Sequence, residues 1–213
     1  MNPAVAQRLF PYAGVLLFLS LGALALTGPL GSQPALSASL WSAAFLFLFL
    51  SWKGFPETRN KRALLCVVLA GIALRVPFLQ LFPASNDIFR YVFEGYIQLQ
   101  GVNPYGASPL ELARYAHGPM EHIWPQINHP GLSAAYPPLA LLLFRVIASL
   151  SPTVMAFKLL MFCADCGALA FLALYCAKRN IPARNLLFYA ANPLVLVFLS
   201  GEAHLDALQV LAL

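Results

Sequence analysis

The sequence predicts an all-α, polytopic membrane protein, and three observations predict it. First, 60% of the residues are hydrophobic and only 10% charged, with a mean hydropathy of +0.73; a soluble domain carries about 25% charged residues. Second, three apolar stretches, residues 9–26, 36–52 and 63–82, each approach the ~20 helical residues that cross a hydrocarbon core. Third, the polar chemistry is gathered in one island from Ser85 to about Ala134, which holds His117, His122 and His129 of the four histidines. The formal charge of +5 does not point to nucleic acid, because the basic residues sit in short clusters beside apolar runs rather than along one face. They read as topology signals, and the whole chain, 1–213, reads as one transmembrane domain.

The first apolar run is a retained span and not a cleaved leader: no small-residue cleavage site precedes Gly28-Pro29, and a second apolar run follows at once. Lys53 to Arg62 (KGFPETRNKR) holds four basic residues against one acidic, which places it on the cytoplasmic side. The third span then delivers Asp87 and the loop 83–134 to the outer face.

Where the chain goes next is a parity question. Residues 136–150 form an apolar segment of only 15 residues that opens Tyr136-Pro137-Pro138 and carries Arg145. That length suits an interfacial or re-entrant helix. If it spanned, the basic loop 177–184 (AKRNIPAR) would lie outside. If it does not, residues 153–176 return the chain to the cytoplasm, AKRNIPAR is inside, and residues 185–200 emerge again. Glu202, His204 and Asp206 then share a membrane face with Asp87. Residues 207–213 (ALQVLAL) read as the opening of a further apolar helix, so the sequence is expected to be the amino-terminal part of a longer chain.

Within the island, Asn86 is placed to cap a helix whose first turn holds Asp87. Asp87, Arg90, Tyr91, Glu94 and Gln98 recur at spacings of three and four, opposite an apolar face of Ile88, Phe89, Val92, Phe93 and Ile97. The pattern predicts an amphipathic helix lying on the membrane with its acidic side toward water or substrate. Asn103-Pro104-Tyr105-Gly106 predicts a turn. Ser108 to Ala116 opens Ser-Pro-Leu-Glu, a helix start with Glu111 at the capping-box position. Residues 124–130 (WPQINHP) predict an irregular loop that walls a binding site.

SNDIFRYVFEG, GVNPYG, IWPQINHP, AYPPL, FKLLMFCADCGAL and NPLVLVFLSGEAHLDAL occur in this order between residues 85 and 208. Together they resemble the amino-terminal half of polyprenyl-phosphate-sugar-dependent glycosyltransferases of the GT-C fold, in particular bacterial mannosyltransferase-like proteins of the GT87 type. More distantly, the chain is similar to the first mannosyltransferase of GPI-anchor synthesis. The resemblance implies a GT-C-like helical bundle in a bacterial inner membrane, with its active site on the periplasmic side. It implies transfer of a hexose, by resemblance mannose, from a polyprenyl-phosphate donor to a glycan or glycolipid hydroxyl, usually with inversion.

On that basis Asp87 matches the family's loop aspartate and is the expected general base. The leaving phosphate gathers negative charge and calls for a fixed cation; Arg75, Arg90 and Lys158 are the candidates. Tyr91, Glu94, Asn103, Tyr105, His129 and Tyr136 lie in the matched motifs and are expected around the substrate. Glu202, His204 and Asp206 form a second cluster, in which Glu202 and Asp206, four apart, would share a helix face. Each assignment has a plainer competitor: Asp87 as a cap, Arg75 snorkelling or paired in its apolar span, Lys158 and Asp165 seven apart in a structural polar seam. No cofactor is expected. The GPI-type relatives pair two aspartates where this chain reads Asn86-Asp87, which weakens a Mg²⁺ or Mn²⁺ site, and the histidines lack zinc spacing. Cys66, Cys163, Cys166 and Cys176 read as small buried thiols. The alternative function is a carrier or flippase of polyprenyl-linked sugars, which would place ionisable groups and broken helices at mid-membrane; a non-catalytic membrane subunit is the third reading.

Overall fold

A computed structural model describes residues 3–26, 33–81 and 86–212. Among them there is no strand. The helices are α1 (Pro3–Leu26), α2 (Pro34–Gly54), α3 (Lys61–Arg75), α4 (Phe78–Leu81), α5 (Asn86–Leu99), α6 (Pro138–Leu150), α7 (Val154–Lys178), α8 (Leu187–Ala190) and α9 (Asp206–Ala212), with a π-helical turn at Val195–Gly201. The Gly28-Pro29 junction, the end of the third expected span at Phe82, Ser85 and Leu213 lie outside the described residues. The chain divides into two compact units, 1–83 with 162–201 and 206–213, and 84–161 with 202–205.

Helix α2, the run Lys61–Gln80 and α7, of which the residues from 162 on belong to the first unit, are each long and apolar enough to cross a bilayer. Their outer faces keep Leu65, Leu69, Phe171 and Leu174 exposed, as helices solvated by hydrocarbon do. Leu17, Leu21 and Leu24 of α1 pack on Ala44 and Leu48 of α2, with Phe78 and Leu196 in the same cluster. Leu64 and Val67 of α3 pack on Leu169 and Ala173 of α7 and on Leu186 and Ala190. Gly71 makes the closeness possible, because a Cβ there would stand 2.9 Å from Leu169 and 3.1 Å from Ala190.

Residues 185–200, expected as one span, are instead a broken one. The pieces Ala183–Ala190 and Val195–Gly201 meet at 55°. The break falls at Asn192-Pro193, where proline supplies no amide proton and its ring disfavours helical geometry at the preceding residue. Asn192 repairs part of the gap: its side-chain oxygen accepts from the Leu194 amide at 3.0 Å and its amide nitrogen donates to the Phe188 carbonyl. The cysteines also depart from expectation. Cys176 is buried, but Cys66 and Cys163 are exposed on spanning helices, and all are free thiols.

Both basic loops come together in this unit. Arg184 pairs with Glu57 at 2.9 Å, Arg59 Nε donates to the Asn180 carbonyl at 2.9 Å, and the Ala183 amide donates to the Thr58 carbonyl at 2.8 Å. Trp52 Nε1 donates to Asn185 Oδ1 at 3.0 Å.

In the second unit, α5 lies directly against α6. A Cβ on Gly95 would meet the Phe144 carbonyl oxygen at 2.5 Å, so glycine is required for the backbones to approach. Gln98 Nε2 crosses the junction and donates to the Glu94 and Leu141 carbonyls. The α5 side expected to face water is buried: Arg90, Tyr91 and Glu94 are 5%, 2% and 1% exposed. The apolar side, Ile88, Val92, Phe93 and Ile97, is buried as well. Helix α5 is therefore a core helix, its polar side covered by the loop that follows it rather than by solvent.

The helix expected over residues 108–116 does not form. Its capping box is made, with Glu111 Oε2 accepting from the Ser108 amide at 2.7 Å and hydroxyl at 2.8 Å. These bonds also hold the Glu111 carboxyl below the ordinary carboxylate range. But the Leu110 amide donates to the distant Pro130 carbonyl at 2.8 Å, and the segment continues only as turns and the short 3₁₀ helix Ala113–Tyr115. The loop goes on through two more 3₁₀ turns, Gly118–Met120 and Trp124–Gln126, pinned by Trp124 Nε1 on the Pro109 carbonyl.

Candidate functional site

The site is built in the second unit from three pieces of chain: the first two turns of α5, the loop 128–136 and the segment 202–205. Asp87 stands in the first turn of α5, where free amides favour a carboxylate. Its Oδ1 accepts from Asn128 Nδ2 at 2.5 Å, a short, charge-assisted bond. Its Oδ2 lies 3.8 Å from His204 Nδ1, and His204 Nε2 is 3.0 Å from Glu202 Oε2. A third of the Asp87 side chain, 33%, stays open. The two acidic clusters, far apart in sequence, thus meet through one imidazole.

One turn beyond Asp87, the Tyr91 hydroxyl meets the Leu205 backbone amide and the Tyr136 hydroxyl. Its ring lies 5.0 Å from Tyr136 and 4.7 Å from Phe144, centroid to centroid. Burial first, then Tyr136 and Asp87 in the case of Tyr91 and Asp87 in the case of Tyr136, hold both phenols well above the ordinary tyrosine range, so both remain hydroxyl donors.

Arg90 fixes the loop. Its Nε donates to Glu94 Oε1 at 2.8 Å, and its two terminal nitrogens donate to the carbonyls of Asn128 (3.4 Å), His129 (3.2 Å), Leu132 (2.5 Å) and Ser133 (2.9 Å). Every guanidinium donor is spent on the protein itself, so Arg90 is not the open cation expected for a phosphate; it presents the Asn128 side chain to Asp87. Glu94 lies behind it, with Oε2 buried and without a hydrogen-bond partner. Burial pushes its carboxyl up to about 7, against the opposing pull of Arg90.

The remaining expected residues fall in different places. His129 is exposed, in the left-handed region at φ 45°, and it is its carbonyl that serves the site, through Arg90. The motif's side-chain contact is its neighbour Asn128, which sequence reasoning passed over because an asparagine before His-Pro reads as a turn former. Asn103 accepts from the Tyr105 amide at 3.0 Å, and the Tyr105 hydroxyl donates to the Tyr136 carbonyl. Both therefore shape the turn that carries Tyr136. Asn103 also lines a polar cavity of about 300 Å³ with Gln98, Gly101 and Arg145.

Lys158 is 4% exposed in the first turns of α7. Glu202 to Leu205 is not helical, and Ala203 holds φ 60°, so Glu202 and Asp206 do not share a helix face as expected. Asp206 is exposed, opens α9 and belongs to the first unit.

Arg75, the other candidate for the phosphate, is fully buried in the first unit. Its Nε and Nη2 bind Asp165 at 2.8 and 3.1 Å, and its Nη1 donates to the Gly71 and Ala190 carbonyls. Asp165 also accepts from Tyr189 at 2.9 Å and Ser200 at 2.7 Å. This network is closed on itself and ties α3, α7, α8 and the π-turn together, as the plainer reading expected.

Among the described residues, no group of three His, Cys, Asp or Glu side chains is close enough to hold a metal ion. Comparison with curated proteins and with solved structures finds no match. The family model for the alpha-(1->6)-mannopyranosyltransferase N-terminal domain does match, over residues 13–213, and the chain accordingly belongs to that mannosyl-transferring glycosyltransferase family, as its amino-terminal part.

Proposed function

We propose that this chain carries the catalytic base of an integral-membrane mannosyltransferase that uses a polyprenyl-phosphate mannose donor at the outer membrane face, with Asp87 as that base. The observation that carries the reading is the partly exposed Asp87 carboxylate, oriented by Asn128 on one oxygen and flanked by His204 on the other. With Oδ1 capped, Oδ2 takes the proton of the acceptor hydroxyl. The hydroxyl oxygen attacks the anomeric carbon from the side opposite the phosphate, and the carbon–oxygen bond to phosphate breaks with its electron pair leaving on the phosphate. Arg75 and Arg90 are both engaged by the protein's own acceptors; Lys158, buried near the start of α7, is the third cation that the sequence offers for the leaving phosphate. Tyr91 and Tyr136 stand beside Asp87 as neutral hydroxyls, and the acceptor is a glycan or glycolipid.

Two further features bear on the lipid-borne donor and on the topology. A cavity of about 660 Å³ in the first unit is walled by apolar side chains, among them Phe171, Leu172, Tyr175 and Leu211. The basic loops around Arg59 and Arg184 are bonded to each other, so they share one membrane face. That pairing supports the reading of α6 as a non-spanning helix, under which Asp87 and Glu202 belong to the outer face.

The carrier reading has one observation of its own, the broken span and buried ion pair of the first unit. The enzyme reading is favoured because that pair is fully satisfied internally, whereas the partly exposed carboxylate is in the second unit. A cell-free assay with radiolabelled polyprenyl-phosphate mannose and the full-length protein separates them. Asp87→Asn should lose about 10²-fold or more in transfer; equal transfer by variant and wild type would end the assignment.

A further inference from the structure

Helices α3 and α7 belong to runs long and apolar enough to cross a bilayer, and where they lie side by side in the first unit they do not close completely. An open groove of about 420 Å³ remains between them. Helix α3 lines it with Lys61, Leu64, Leu65 and Val68, and α7 lines it with Ala170, Ala173, Leu174 and Ala177. Both sets recur at spacings of three and four, so each is one helix face, two turns and about 10 Å long. Leu64 and Ala173 are buried at its floor, while Leu65 and Leu174 are exposed and form its rims. The alanines leave a volume that larger side chains would fill.

Along its length the groove is apolar, but one end is cationic. Lys61 opens α3 and lines the groove directly, and Lys178, the last residue of α7, follows Ala177. The loops at this end carry four basic residues in 53–62 and three in 177–184, against the single carboxylate of Glu57, which is paired with Arg184 at 2.9 Å. Arg59 donates to the Asn180 carbonyl, Arg179 lies over the Tyr175 ring and Lys53 over the Trp52 ring. That leaves Lys61, Arg62 and Lys178 exposed, and among the described residues no carboxylate pairs with them. Fixed positive charge at the mouth of an apolar groove between spanning helices matches a ligand with an anionic head and a hydrocarbon tail. A small free anion would gain nothing from the groove, and an apolar helix laid into it would leave the cations unmatched.

We propose that this groove holds an anionic phospholipid of the leaflet that the basic loops face, with one acyl chain between α3 and α7 and the phosphodiester bound by Lys61 and Lys178. Arg62 adds to the field at the headgroup. The lipid so placed bridges the start of α3 and the end of α7, near the junction that Arg59 and Asn180 make through protein, and stabilises the first unit. It shares no residue with the Asp87 pocket, so it holds whether or not Asp87 is the base.

The test is native mass spectrometry of the full-length protein released from detergent micelles containing dioleoylphosphatidylglycerol or dioleoylphosphatidylcholine, with melting temperatures taken in parallel. Wild type should retain one phosphatidylglycerol about tenfold or more tightly than phosphatidylcholine, and the bound lipid should raise its melting temperature. Replacing exposed lysines leaves the fold intact, and Lys61→Gln with Lys178→Gln should weaken phosphatidylglycerol about fivefold for each lysine removed while phosphatidylcholine is unaffected. Ala170→Phe, at an exposed position of α7, fills the groove and should weaken both lipids about tenfold while keeping the preference between them. Equal retention of the two lipids by wild type overturns the headgroup site, and undiminished binding by a folded Ala170→Phe overturns the groove. Displacement of the lipid by glycerol phosphate at equal concentration would mean that a free phosphate is the ligand. A wild type that binds neither lipid, or that forms a dimer which Ala170→Phe dissociates, would show that a helix fills the groove instead.

Discussion

At the scale of single residues, the structure separates cations engaged by the protein's own acceptors from the partly exposed Asp87 carboxylate. Arg75 and Asp165 are both fully buried, and their bond at 2.8 Å leaves no donor or acceptor idle. Removing one partner strands the other charge in a low-dielectric site, so Asp165→Asn should cost about 3–5 kcal/mol. The paired change Arg75→Met with Asp165→Leu should recover most of that loss, measured by thermal unfolding in detergent. Glu94 makes a different prediction. Its carboxyl titrates at 4.5 in the unfolded chain and at about 7 when folded, so between these values the folded state holds a proton that the unfolded state releases. Stability then falls as pH rises from 4.5 to about 7, by on the order of 3 kcal/mol, and levels off above. Glu94→Gln, which mimics the protonated form, should be the more stable protein at pH 8 and match wild type at pH 4.5. Melting temperatures across that range would show it, and parallel curves would refute it. The periodicity of α5 placed Asp87, Arg90, Tyr91 and Glu94 on one side correctly; it could not say that four loop carbonyls would satisfy Arg90, because those acceptors come from residues some forty positions away.

At the scale of elements, glycines and prolines decide where helices touch and where they stop. At Gly95 an added methyl would meet backbone rather than a yielding side chain, at 2.5 Å. Gly95→Ala should therefore push α5 and α6 apart and destabilise the second unit by about 1–3 kcal/mol. The shift would also move Tyr91 away from Phe144, and tryptophan fluorescence from Trp124, pinned in the same unit, gives a local readout of it. The failed helix at residues 108–116 shows why local signals run out. Its capping box is intact, yet one amide is bonded across the loop to Pro130, and a cap worth about 1 kcal/mol does not outweigh the packing of the loop as a whole. The broken final span shows the opposite case, since Asn192-Pro193 is plain in the sequence and an apolar count alone hid it.

At the scale of the whole molecule, the paired basic loops set an expectation for topology. Cysteines placed near Ala107 and Ala203 should react with an impermeant reagent from outside the cell, and cysteines near Asn60 and Asn180 should not. Labelling at Asn180 from outside would mean that α6 spans and that the two loops do not share a face. The sequence by itself determined the all-α membrane class of this protein and its family, because hydropathy, helix length and ordered motifs are properties of neighbouring residues. Only the tertiary structure decided that Arg75 and Arg90 are structural, that Asn128 rather than His129 orients Asp87, and that His204 joins Glu202 to it. Those outcomes depend on which distant acceptor reaches each donor first, and no local pattern records that competition.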